Sequence, residues 1–148
     1  MAEFSHLHAD GRVRMVDVGH KPVQARTALA VGIVLCAPDT VAALRDQTLP
    51  KGDVLTVAKI AGIQAAKRTD ELIPLCHSLP LDGVEMRFTL RNDGVFIEAE
   101  ARTQARTGVE MEALTAVCVA ALTVYDMCKA VDKGMIIGDV HLVRKTKE

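Results

Sequence analysis

Aromatic side chains are scarce in this chain. They make up 3% of 148 residues, namely Phe4, Phe88, Phe96 and Tyr125, with no tryptophan. Four scattered rings form a poor stacking platform, which argues against a single-stranded nucleic-acid binder. An excess of one charge is also missing. With 18 basic and 19 acidic residues the formal charge is −1, so no bulk field draws DNA, RNA or an anionic membrane. Long hydrophobic runs are absent too. The longest, Ala113 to Tyr125, is thirteen residues with two threonines, against the roughly 20 that span a bilayer. The first residues, MAEFSHLHADGRVRM, hold no apolar run of signal-peptide length. The cysteines are few: Cys36, Cys76, Cys118 and Cys128, without a CxxC pair or zinc-like spacing. They read as reduced thiols of a cytoplasmic protein.

What is present is aliphatic. Hydrophobic residues reach 49% of the chain, mostly Ala, Val, Leu and Ile. The length fits a single domain, 1–148, able to bury roughly 68–70% of the surface its unfolded chain exposes. Residues 1–25 are polar and mixed, and read as an extended N-terminal arm. TALAVGIVLC, 27–36, predicts a buried strand. Pro38 can open a short helix to about Gln47, and Leu49-Pro50-Lys51-Gly52 is a turn. Asp53 opens a second helix, DVLTVAKIAGIQAAKRT, with an apolar face. Pro74 to Pro80 is irregular. Strands over 84–90 and 95–105 join through Asn92-Asp93-Gly94. A long helix from about Glu110 to Val131 is apolar on every side, so burial all round is expected, in the core and against a partner chain. MIIGDVHLV closes the chain as a strand. This order predicts an α+β sandwich, an antiparallel sheet with helices packed on one face.

Several residues can carry chemistry, and each also has a plain structural reading. Lys51 sits at the mouth of a helix N-terminus, a place that suits an anion; the plain reading is a turn with Asp53 as cap. Cys76-His77 lies between two prolines in LIPLCHSLPL, so His77 is an acid–base candidate on a restricted backbone, or a structural histidine. Glu110 and Glu112 can face one cavity if the helix begins only after them; otherwise they complement its dipole. Asp126 and Lys129, three apart, are helix neighbours, as a tuned pair or a surface ion pair. The apolar stretch before Asp126 suggests part burial, which would shift its pKa. Glu112 and Asp126 are fourteen positions apart, about 21 Å along a straight helix. If both serve one small site, that site is shared between chains.

Four segments extend the argument: MVDVGHKPVQAR (15–26), KGDVLTVAKIAGIQAAKRTDELIPLCHSLPL (51–81), TGVEMEALTAVCVAALTVYDMCKAVDKGM (107–135) and the final strand. On these the chain resembles the cyclic pyranopterin monophosphate synthase family, molybdenum cofactor biosynthesis protein C. The resemblance covers nearly the whole chain from Ser5, and GIQAAKRT, LIPLCH, TGVEMEALTA and YDMCKAVDK are its most specific pieces. It implies a ferredoxin-like protomer in a homohexamer, a trimer of dimers, with the site at a dimer interface. It implies a phosphorus–oxygen lyase acting on the cyclised dihydroguanosine triphosphate that a radical S-adenosylmethionine enzyme supplies. The products would be cyclic pyranopterin monophosphate and pyrophosphate. No redox cofactor is implied, and Mg²⁺ enters only with the triphosphate.

Carried over by position, the resemblance makes Lys51, Asp126 and Lys129 catalytic. Asp126 and Lys129 would be the proton-transfer pair, and Lys51 would assist ring opening or phosphate positioning. Leu75, Cys76, His77, Met111 and Glu112 match substrate-contacting segments, and Glu110, Arg26, Arg106 and Lys145 align with the pocket. Ser78 departs from a usual proline, Arg106 replaces a common lysine, and the tail lacks the usual glycine-rich basic extension. A different class of protein, a non-catalytic module binding an anionic nucleotide, would need Lys51 and Arg26 but no paired Asp126 and Lys129. An RNA-binding sheet would lack both rings and charge here.

Overall fold

The computed structural model describes residues 4–148. Its four strands are β1 (Gln24–Leu35), β2 (Leu81–Arg91), β3 (Gly94–Ala105) and β4 (Ile136–Lys147). They form one sheet in the order β2-β3-β1-β4, with every neighbouring pair antiparallel. Between β1 and β2 run α1 (Pro38–Asp46), α2 (Val54–Lys67) and the single turn α3 (Thr69–Leu72). Between β3 and β4 runs α4 (Glu110–Cys128). Each helical crossover therefore joins two strands with one antiparallel strand between them, the double split βαβ of a ferredoxin-like fold.

Alternation sets the two faces of the sheet. Along β3, Val95, Ile97, Ala99 and Ala101 are fully buried against the helices. On the other face Arg87 reaches Glu98, and Arg144 meets Glu100 at 3.0 Å. The small residues of β1 let α4 settle close. A Cβ added at Gly32 would lie 2.7 Å from Val117 of α4, and one at Gly62 of α2 would lie 3.0 Å from the Ala116 carbonyl. Ala113, Ala116, Ala120 and Ala121 of α4 are fully buried in the same seam. By length and composition α4 is apolar enough to cross a membrane, but here it is the core helix.

Three expectations need correction. The long helix ends at Cys128 rather than Val131, and within the chain its Met111, Cys118 and Leu122 stay exposed in a stripe at helical spacing. β4 runs to Lys147, past the Val143 at which the final strand was expected to end, and Glu148 still pairs with the Ala25 backbone. The arm expected over 1–25 is not simply extended. Residues 1–3 lie outside the described residues, Leu7 and Val13 pair as a small hairpin, and β1 already begins at Gln24.

One buried carboxylate holds the corner after α4. Asp132 accepts hydrogen bonds from the Ala37 N–H (2.9 Å), the Thr40 hydroxyl (2.9 Å) and the Gly134 N–H (3.0 Å). Helix α1 has no capping side chain of its own, so Asp132 caps it from the far end of the sequence. Asp132→Ala leaves the buried Thr40 hydroxyl and the Ala37 N–H without that acceptor. It should lower stability by about 2–3 kcal/mol, and Thr40→Val by about 1 kcal/mol, as read by urea unfolding.

Candidate active site

The predicted site residues fall into two groups at opposite ends of α4. At its C-terminal end, Asp126 bridges two lysines. Lys129 Nζ lies 2.9 Å from one carboxylate oxygen, and Lys51 Nζ lies 3.0 Å from the other. Lys51 arrives on the turn after α1, where Gly52 adopts a left-handed φ of 91°. All three side chains are about half exposed. Of the two readings of this pair the surface ion pair holds, and part burial does not tune Asp126. The Lys129 and Lys51 ammonium groups hold its carboxyl below the usual range, and Asp126 in turn raises the pKa of Lys129. The resting cluster is one carboxylate between two ammonium donors.

At the N-terminal end of α4 two clefts adjoin. The first, about 480 Å³, is lined by Leu75, Cys76, His77, Glu110 and Met111 together with Ile73, Leu79 and His6. The Pro74–Pro80 segment supplies its wall without regular structure, and Thr103 Oγ1 donates to the Pro80 carbonyl to hold that segment on β3. The second cleft, about 460 Å³, is lined by Lys21, Arg26, Lys145 and Lys147 around the start of α4. Strand register gathers those cations. Arg26 stands opposite Lys147, and Ala28 opposite Lys145, so alternation puts the three cations on one face. Thr107, Gly108 and Glu110 border both clefts.

Arg26 is fixed by the Ala105 and Arg106 carbonyls, both at 3.3 Å, and Arg106 donates to the Gly19 carbonyl. Lys145 meets Glu110 at 3.1 Å. Burial opposes ionisation of Glu110, but its own backbone N–H, Lys145 and Arg26 outweigh it and lower its pKa. A side chain at Gly108 would displace the Glu110 carboxylate from its place beside Lys145.

Glu110 and Glu112 part company, because the helix begins at Glu110 and not after Glu112. Two helical steps turn Glu112 inward, where it is 3% exposed. The Cys76 thiol donates to its Oε1 at 4.0 Å, and among the described residues Oε2 has no hydrogen-bond partner. Burial, with Glu110 and Asp70 adding repulsion, pushes the Glu112 carboxyl up to about 7. Burial and Glu112 likewise raise Cys76, so Cys76 is a thiol donor rather than a thiolate nucleophile. Glu112 can thus take up or release a proton near neutrality. Sequence reasoning did not single out His6, Lys21 or Asp132. Lys21 and Asp132 lie inside the segments MVDVGHKPVQAR and YDMCKAVDK, and His6 becomes visible once the arm is seen to fold back.

Comparison with known proteins shows the family. The model of the MoaC family matches residues 15–148. The chain is 57% identical over 147 residues to cyclic pyranopterin monophosphate synthase of Desulfatibacillum aliphaticivorans, covering 98% of this chain and 92% of that protein. It is 59% identical over 145 residues to the protein of the same name from Oleidesulfovibrio alaskensis, covering 97% and 91%. It is also 56% identical over 144 residues to a molybdenum cofactor biosynthesis bifunctional protein of Chlorobaculum tepidum, covering 97% of this chain and 46% of that longer protein.

The Glu112 environment has a measurable consequence. The folded chain holds this proton more tightly than the unfolded chain does. Its stabilising contribution is therefore full below about pH 4.5 and is lost as pH rises to about 7. Glu110, Asp126 and Asp132, all lowered, slope the other way, so the difference between two proteins isolates Glu112. Relative to wild type, Glu112→Gln should gain about 3 kcal/mol between the two ends of that window. Urea unfolding across the pH range reads it, and a flat difference would show that burial does not protonate Glu112.

Proposed function

The chain belongs to the MoaC family, and from that premise we propose that it is the lyase that converts (8S)-3',8-cyclo-7,8-dihydroguanosine 5'-triphosphate to cyclic pyranopterin monophosphate and pyrophosphate in molybdenum cofactor biosynthesis. The observation that carries this reading is the pairing of two adjoining clefts at the start of α4. One is largely apolar with a few polar groups and suits a flat, hydrogen-bonding ring. The other collects Lys21, Arg26, Lys145 and Lys147 at a helix N-terminus and suits a chain of phosphates.

In this reading the phosphate cleft holds the triphosphate while a hydroxyl of the same substrate attacks its α-phosphorus. The new phosphorus–oxygen bond closes the cyclic phosphate, and the broken one releases pyrophosphate, with no water consumed. Lys129 acts as the proton donor to the opening ring, and Asp126 orients it and shares its charge. Lys51 is a second donor, to the ring or to a phosphate. Glu112 and His77 contact the polar edge of the ring. Mg²⁺ enters only as a companion of the triphosphate. Among the described residues no three His, Cys, Asp or Glu side chains gather as a cage, and the phosphates would be its ligands.

The two clusters stand about 21 Å apart along α4, so we assign the complete site to two chains of a hexamer built from dimers. The exposed stripe Met111, Cys118 and Leu122 leads along α4 toward Asp126, and Val57 and Ile60 on α2 are also open, which suits helix-to-helix burial between copies. The substrate would come from a radical S-adenosylmethionine enzyme, and the setting would be the cytoplasm. No membrane or nucleic acid takes part in this reading.

The assay supplies the cyclised triphosphate and measures pterin and pyrophosphate. Lys51→Ala and Asp126→Ala should each lower kcat by about 10²–10⁴ with the fold intact. Binding without turnover by the wild-type chain would instead favour the nucleotide-binding module. A hybrid experiment tests the shared site. Lys51 and Asp126 touch within one chain, so those two variants cannot complement each other. Asp126→Ala mixed with His77→Ala can. With equal amounts and full subunit exchange, about a quarter of wild-type turnover should return, since half the dimers then carry one intact site of two. No recovery in proven hybrids would place the site in a single chain.

A further inference from the structure

The N-terminal arm reaches the first cleft through His77 and His6, and reaches Arg106 beside it. The carbonyl oxygen of Val16 lies 2.5 Å from His77 Nε2. The carbonyl of Gly19 accepts from Arg106 Nη1 at 3.3 Å. His6, on the small hairpin before them, lines the same cleft as Cys76, His77 and Met111. The carbonyls belong to a shaped segment. Asp17 Oδ1 accepts from the Gly19 N–H at 2.8 Å, and the Lys21 N–H donates to the Val18 carbonyl at 3.0 Å. Such a side-chain turn sets where the flanking carbonyls aim. Asp17 and His6 are themselves exposed, so neither is held there by burial.

We propose that this arm is a working part of the cleft: the Asp17 turn aims the Val16 carbonyl so that His77 is held as its Nε2–H tautomer, and His6 contacts the ring portion of the bound substrate. A carbonyl oxygen can only accept, so the nitrogen facing it must carry the proton. In neutral His77 the basic nitrogen is then Nδ1, and any proton that His77 takes from a substrate goes to that atom. The Arg106 guanidinium is steadied by the same segment. Asp17 is thus a positioning residue, acting through Val16 on His77. His6 stands beside the apolar cleft rather than the cation-lined one, which is why its contact is assigned to the ring and not to the phosphates. The His6 assignment rests on the proposed substrate; the tautomer does not.

Two experiments decide it, and neither needs turnover. The first is NMR of full-length protein with nitrogen-labelled histidine, at a pH where imidazoles are neutral. His77, assigned by its loss in His77→Asn, should show a protonated and exchange-protected Nε2 with a contact to the Val16–Asp17 backbone. That protection should vanish in Asp17→Ala. A proton on Nδ1, or a protected Nε2–H that survives Asp17→Ala, would overturn the positioning role. The second is binding of guanosine triphosphate and of inorganic triphosphate. His6→Ala should weaken the nucleotide by about 5- to 20-fold, the size of one lost hydrogen bond, and leave inorganic triphosphate unchanged. Equal weakening of both, or of neither, would remove His6 from the ring. If the wild-type chain binds neither probe, the His6 contact falls while the NMR result stands alone on the tautomer; the synthase reading is decided separately, by turnover of the cyclised triphosphate.

Discussion

The close seating of α4 is the constraint on which the rest depends. This helix must lie against β1 and against α2 at once, and it can do so only where side chains are absent or small. Gly32 clears the path for Val117, Gly62 for the Ala116 carbonyl, and four alanines of α4 fill the seam between. Aromatic rings would hold the layers apart. The scarcity of aromatics is therefore a packing requirement: interiors are close-packed, and a short interlayer distance needs small residues. With α4 fixed in this way, its two ends become rigid platforms. Everything with chemical potential in the chain stands at one end or the other.

The two platforms differ electrically. The N-terminal end presents free amides and the positive end of the dipole, and β1 and β4 add Arg26, Lys145 and Lys147 beside it. The C-terminal end carries the negative end of the dipole, where Lys129 and Lys51 are at home and Asp126 is stabilised only by them. Asp132 ties this second platform to α1, and α1 leads into the turn that bears Lys51. A single buried carboxylate thereby links the placement of Lys51 to that of Asp126 and Lys129, although none of the three touches it.

Much of this was legible in sequence. Alternation in Val95, Ile97, Ala99 and Ala101 set the inner face of β3, the Asn92-Asp93-Gly94 turn set the hairpin, and three-residue spacing put Lys129 beside Asp126. What was not legible shares a physical cause. Hydrophobicity gives the composition of a helix but not the reach of its neighbours, so it did not separate the face of α4 that the core covers from the open stripe of Met111, Cys118 and Leu122. For Asp126 the apolar neighbours left part burial open beside a surface ion pair, and helix geometry turns it outward into the ion pair. Of the two readings of Glu110 and Glu112 the helix-start one holds: α4 begins at Glu110, where the pattern placed it, and its turn carries Glu112 inward. Asp132 and the arm act through contacts more than 60 positions away in sequence, which no local pattern records.

The near-zero net charge acquires a meaning from these placements. The candidate cations are not idle: Lys51 and Lys129 share Asp126, Lys145 holds Glu110, and Arg26 rests on two carbonyls. Ion pairs this exposed contribute little to stability. They do restrict where a long flexible side chain points, and so lower the entropy lost when it meets a ligand. A phosphate, with more charge than a carboxylate and three acceptor oxygens, can displace Glu110 from Lys145 at small cost. The carboxylates thus keep the lysines aimed without binding them strongly enough to withhold them. A chain with the same cations and no acidic partners would have a stronger field and a less ordered site. Balance, rather than excess, is what a small polyanionic substrate needs when it must be oriented and not merely attracted.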